Sequence, residues 1–169
     1  MLARALGVPH ISTGVMLRQN VADGTELGLQ ADAIMQAGDL VPDDLVVAMV
    51  AERLGRDDAA CGYLLDGFPR NVVQAEALDA VMGEGALDVA LLIDADENEL
   101  VARLLKRAEE EGRADDNEAT IRNRQQVYQA ETAPLVAYYP GHGVDVLVVD
   151  GLGTIDEVFG RLVRALAAE

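Results

Sequence analysis

Residues 62–70 read Gly62-Tyr63-Leu64-Leu65-Asp66-Gly67-Phe68-Pro69-Arg70. A short apolar run ends on an acid, and a glycine, a proline and an arginine follow within the next turn. Outward from this stretch the chain repeats the same phrase. Residues 8–12, 87–94 (LDVALLID) and 144–149 (VDVLVV) are further apolar runs, each closed by polar or glycine-rich residues. Between them lie patterns of helical period, predicted at 14–22, 26–37, 43–54, 71–82, 97–107, 117–138 and 154–167, with breaks at Gly24, Gly38, Pro42 and Pro140-Gly141. Continuous apolar strands alternating with helices predict an α/β fold, a doubly wound parallel sheet covered on both faces. Ligands of such sheets bind at the carboxyl ends of the strands. Those ends are Ser12-Thr13-Gly14, residues 66–70, Asp94-Ala95-Asp96 and residues 150–154.

The chain has 169 residues, half of them hydrophobic and a quarter charged, which suits one globular domain with a single core. Repeats, low-complexity tracts and interdomain linkers are not found. The apolar runs are core-sized, and the first ten residues lack the pattern of a signal peptide, so a cytoplasmic protein is expected. One cysteine, Cys61, excludes an internal disulfide and is read as a small buried group. Met16, Met35, Met49 and Met82 fit core faces of helices. His10 and His142 are read as turn residues, too few and too isolated for a metal. Acidic residues outnumber basic ones 30 to 13, a formal charge of −17, which repels nucleic acid and anionic membranes. Lys106 is the only lysine; the other basic residues are arginines, which suit bidentate phosphate binding.

Three motifs carry candidate chemistry, and each has a plainer alternative. Asp66 at a strand end can organise Mg²⁺, with Gly67 admitting a ligand and Arg70 aimed into the same crevice; alternatively the segment is a strand-to-helix turn with Asp66 as the cap. Thr13 can orient a polar ligand with Arg18 one turn on; alternatively Ser12 or Thr13 is an ordinary N-cap. Arg103 and Arg107 share a helix face, Arg113 follows the EEEG loop and Arg124 lies on the next helix. These four are either a surface hairpin with paired charges or a lid that closes over a polyphosphate, with Asp115 and Asp116 tethering it. The GLG at 151–153 is too short for a dinucleotide fingerprint and predicts a tight turn.

Taken together, HISTGVMLR, MQAGDLVPDDLV, YLLDGFPRNVVQAEAL, the stretch from LVARLLKR through EEEGRADDNEATIRNR to AYY, and VVDGLGTIDEVF resemble the adenylate kinase family of the short-lid type. The resemblance covers nearly the whole chain in the family's order. It implies reversible phosphoryl transfer from MgATP to AMP, giving two ADP, in purine nucleotide homeostasis. It also implies a monomer, Mg²⁺ with ATP as co-substrate, and no structural zinc, because the lid has no cysteines. AMP would be held by Thr13, Arg18, the backbone of Asp39-Leu40-Val41, and Gly67, Phe68, Pro69, Arg70 and Gln74. ATP would meet Arg103 on its base, Arg107, and the carbonyl of Gly153. Arg113 and Arg124 would serve the transferring phosphoryl group, and Asp66 would reach Mg²⁺ through water. Residues 12–41 would form the AMP flap and 107–115 the lid. Thr13 favours AMP as acceptor.

One departure stands beside these matches. The family opens with a central strand and a phosphate loop, G-x-x-x-x-G-K-[GT], and no such motif occurs in this sequence. The expectation is a start placed too late, Met1 being an internal methionine. Without that loop the kinase would be crippled. Without that strand two neighbours would lose ladder partners, and Ile11, Leu64, Leu65, Leu91 and Leu92 would be candidates for exposure. The competing readings are a non-catalytic AMP-binding remnant, a kinase for another nucleoside monophosphate, and an acidic interaction protein.

Overall fold

The computed structural model describes residues 1–83, 87–111 and 117–168. Arg113, Asp115 and Asp116, and with them residues 112–115 of the expected lid, lie outside the described residues. The element order is α1 (Leu2–Leu6), β1 (His10–Ser12), α2 (Thr13–Ala22), α3 (Glu26–Ala37), α4 (Asp43–Leu54), β2 (Leu64–Asp66), α5 (Val72–Met82), β3 (Val89–Asp94), α6 (Glu97–Glu111), α7 (Glu118–Val127), α8 (Leu135–Tyr138), β4 (Asp145–Asp150) and α9 (Ile155–Leu166). Caps fix several starts. Thr25 accepts from the Gly28 amide, Asn71 from Gln74 and Asn117 from Thr120, and Thr154 forms a reciprocal capping box with Glu157.

All strand pairing is parallel, as the apolar runs predict. β1 pairs with β2, His10 opposite Leu64 and Ser12 opposite Asp66, and β3 pairs with β4, Val89 opposite Asp145 and Asp94 opposite Asp150. Among the described residues the ladder is not continuous between these pairs. The carboxyl ends that bear the motifs come together pairwise, residues 12–14 with 66–70, and 94–96 with 150–154.

Two cores hold the chain. The larger gathers Ile11, Leu17, Val46, Val50, Phe68 and Leu78 with their neighbours, uniting β1 with α2, α4 and α5. The smaller joins Ala75 of α5 to Leu135, Tyr139 and Val144. None of the helices, among the described residues, is long and apolar enough to cross a membrane.

Several expectations are corrected. Ile11 is 1% exposed, because β1 turns it into the helix layer and away from the open edge. Leu64, Leu65, Leu91 and Leu92 are half-buried; the apolar strand residues that face solvent are Ile93 at 53% and Val148 at 60%. Cys61 is exposed, since it stands in the turn ahead of β2 and not in the strand. Met82 is exposed at the end of α5, while Met49 is buried and Met16 and Met35 pack on the core. The 97–107 helix runs on to Glu111. The 117–138 helix is interrupted by a π-turn at Tyr128–Thr132, where the Ala133 amide bonds the Tyr128 carbonyl. Pro134 has no amide to continue an α-ladder, which explains the break. His10 is a strand residue paired with Asp66, and His142 ends the short 3-10 helix Tyr139–His142 and stacks on Tyr138.

Candidate active site

The floor of the site is where α2 meets the loop after β2. Thr13 is the first residue of α2 and is 2% exposed. Its Oγ1 does not cap the helix; it donates to the Gly67 carbonyl at 2.8 Å. Ser12 holds the N-cap position without a side-chain hydrogen bond. The plain capping alternative is thus not realised at residues 12–13. Gly67 has φ +72°, and a Cβ there would stand 3.1 Å from Arg70 Nη2 and 3.2 Å from Thr13 Oγ1. Only glycine suits both that backbone and that crowding. The Gly67 carbonyl also accepts from Arg70 Nε at 2.9 Å, so one carbonyl fixes both the threonine and the arginine.

The rest of the loop is held from below. The Phe68-Pro69 peptide is cis, and the Phe68 side chain is buried in the larger core, leaving its backbone for any ligand. Asn71, not Asp66, caps α5. Gln74, 2% exposed, accepts from the Arg70 amide at 2.8 Å and donates to Asp43 at 2.7 Å. Asn71 reaches the same carboxylate at 3.1 Å. From the π-turn, Thr132 Oγ1 donates to the Arg70 carbonyl at 2.7 Å.

Above this floor positive charge converges. Burial lowers the Arg70 guanidinium below its ordinary pKa, repulsion from Arg124 and Arg18 lowers it further, and Asp66 pulls the other way. Arg18 folds back over the first turn of α2, its Nη2 3.3 Å from where a Gly14 Cβ would stand. Arg124 Nη2 points at the Met35 carbonyl at 3.5 Å. Arg18 of α2, Arg124 of α7 and Arg70 of the loop after β2 thus share one field. Asp66 is exposed at the end of β2 and accepts from His10 Nε2 at 3.0 Å.

The second pair of strand ends forms a cleft of about 580 Å³ lined by Ile93, Arg103, Arg107, Gly151 and Gly153, among others. Arg103 is bonded to Glu99 at 2.7 Å and bridges the loop after β4, donating to the carbonyls of Gly151 at 2.8 Å and Gly153 at 3.1 Å. Gly153 has φ +103° and makes a bend just before Thr154, the N-cap of α9.

A family model described as adenylate kinase matches residues 1–144. The chain belongs to the adenylate kinase family. It is 49% identical over 168 residues to the adenylate kinase of Thermobifida fusca, covering 98% of this chain and 88% of that one. It is 51% identical to the adenylate kinase of Leifsonia xyli (95% and 81% covered) and 51% identical to that of Kocuria rhizophila (98% and 88% covered). For a member of this family, the residues singled out in the sequence fall into two groups. Thr13, Arg18, Asp66, Gly67, Arg70 and Arg124 come together at one pair of strand ends, while Arg103, Arg107 and Gly153 come together at the other.

The sequence did not reveal the supports. Asp43, which ties Asn71 and Gln74 to the start of α4, looks like any first-turn acid. Thr132 lies where the pattern ran on as plain helix. His10 gives no signal, because its partner Asp66 is 56 positions away in sequence. Only the N-cap signature at Asn71, three residues before Gln74, was open to detection.

Proposed function

We propose that this protein catalyses the reversible transfer of the γ-phosphoryl group of ATP to AMP, yielding two ADP. The observation that carries the reading is the convergence of Arg70, Arg124 and Arg18 over a floor made by Thr13 and Gly67. In the reading, the AMP phosphate sits on Arg70 and Arg18, beneath the Gly67 backbone. Adenosine lies against the backbone of Asp39, Leu40 and Val41 in a flap of residues 12–41. The Gln74 amide nitrogen, with one proton on Asp43, has a second to offer the base. ATP takes the other cleft, its base against Arg103 and the Gly153 carbonyl and its phosphates towards Arg107. A lid of residues 107–115 would bring Arg113 over both.

The chemistry asked of these residues is mainly electrostatic. A phosphate oxygen of AMP attacks the γ-phosphorus in line; a new P–O bond forms, the bond to the β-bridging oxygen breaks, and ADP leaves. Arg124 and Arg70 hold the two anions at bonding distance and offset the charge on the transferring group. Displacing water from the arginine cluster strengthens that effect. Asp66, an exposed carboxylate at the end of β2, could hold Mg²⁺ through water while phosphates supply the other ligands. The ion would neutralise phosphate charge. Monomeric state and a cytoplasmic location rest on the family alone.

A second reading has an observation behind it: no glycine-rich loop ending in lysine occurs in these 169 residues, whereas the residues assigned to the AMP side are all present in the sequence. On that reading the chain binds AMP without turning it over. Titration calorimetry with AMP, beside an ADP-formation assay with MgATP, separates the two. ADP formation supports the kinase, AMP binding alone supports the second reading, and no AMP binding removes both. Running CMP, UMP and GMP as acceptors tests the preference assigned to Thr13.

A further inference from the structure

The carboxyl end of α3 meets α7 across 84 positions of sequence. Gly38, at φ +86°, ends α3 in a left-handed turn, and its own amide and that of Asp39 bond back to the carbonyls of Met35 and Ile34. This Schellman-type closure leaves the carbonyls of Gln36 and Ala37 to be satisfied from elsewhere. Two side chains of α7 do so. Thr120 Oγ1, buried, donates to the Gln36 carbonyl at 2.9 Å, and Asn123 Nδ2 donates to the Ala37 carbonyl at 3.0 Å. Asn123 Nδ2 also donates to Asp39 Oδ1 at 2.7 Å. A Cβ on Gly38 would lie 2.9 Å from the Thr120 carbonyl, so the two backbones touch here.

The neighbours of this junction are functional in the reading above. Asp39, Leu40 and Val41 form the adenosine wall of the flap, and Arg124 adjoins Asn123 on α7. We propose that Asn123 is a positioning residue: by holding both Ala37 and Asp39, it sets the distance between the adenosine wall and the arginine that meets the phosphoryl group. Nothing in its side chain touches either nucleotide. The inference rests on the assignment of the AMP site, and its test is built to separate the two.

Calorimetry with AMP on the 169-residue chain compares the wild type with Asn123→Ala, Asn123→Asp and the double variant Asn123→Asp with Asp39→Asn. Loss of the shared donor is expected to weaken AMP about five- to tenfold in Asn123→Ala, the size of one or two hydrogen bonds. Asn123→Asp, which faces Asp39 with a like charge, should weaken it further. The double variant restores the bond between positions 39 and 123 with the roles exchanged but leaves the Ala37 carbonyl without that donor, so it should recover only part of the affinity lost in Asn123→Asp. Rescue of this kind is not expected from a residue that merely fills space. Unchanged AMP affinity in Asn123→Ala, or no recovery in the double variant, overturns the proposal. If the wild type does not bind AMP, the AMP-site assignment fails, and amide hydrogen exchange decides the rest. Faster exchange at residues 38–41 in Asn123→Ala sustains the coupling, and unchanged exchange refutes it.

Discussion

Thr13 Oγ1 and the Gly67 carbonyl are joined at 2.8 Å across 54 positions of sequence, and this bond pins the start of α2 to the loop that carries Arg70. A threonine here is a structural bolt, and in the proposed function it is also a wall of the AMP site. Thr13→Val keeps the volume but removes the donor. It should cost about 1 kcal/mol of stability in denaturant titration. AMP affinity should fall with it, because the carbonyl that orients Arg70 loses its second donor. A variant as stable as the wild type would show that the bond contributes nothing.

Arg70 tests the charge argument. Burial, Arg124 and Arg18 hold its guanidinium below the ordinary pKa while Asp66 opposes them, and an entering phosphate would add a further opposing charge. Arg70→Lys keeps the charge and loses the planar fork, including the Nε bond to Gly67. AMP affinity is expected to drop roughly ten- to a hundredfold, the worth of charged hydrogen bonds. Calorimetry at two salt concentrations measures it, and a loss under twofold contradicts the assignment.

Gly38 cannot accept a side chain. At φ +86°, with the Thr120 carbonyl 2.9 Å from any Cβ, Gly38→Ala should destabilise by about 1–3 kcal/mol. Thermal unfolding followed by circular dichroism should show a midpoint lower by several degrees. An unshifted midpoint would mean the junction between α3 and α7 yields easily.

Acid should loosen the last helix. The Glu157 carboxyl is held below its ordinary value first by the Thr154 amide, then by the Thr154 hydroxyl, with Arg161 adding to both. A carboxyl lowered in the folded state contributes stability above its unfolded value of 4.5, and that stability is lost as pH falls through the lowered folded value. Below about pH 4.5 the wild type should therefore lose stability more steeply than Glu157→Gln, which has no proton to take up. Parallel curves of unfolding midpoint against pH would refute the link.

The sequence by itself determined what is local. Apolar period marked most helices and every strand, and the residues after each strand announced the two clefts. Residues 66–70 announced an arginine held near a glycine, because only a few side chains fit so tight a turn. It did not tell how far a helix runs when one residue interrupts it, as at Pro134, nor that Cys61 stands in a turn.

Only the tertiary structure decided which groups meet. Asn123 finds Asp39, Thr132 finds the Arg70 carbonyl, and Gln74 turns to Asp43, because helices pack as rigid bodies and polar groups at their contacts must find partners there. Periodicity tells which face of β1 is apolar; it does not tell that Ile11 enters the helix layer while Ile93 and Val148 remain in solvent. That choice belongs to the neighbours a strand obtains, and neighbours are set by the packing of the whole chain.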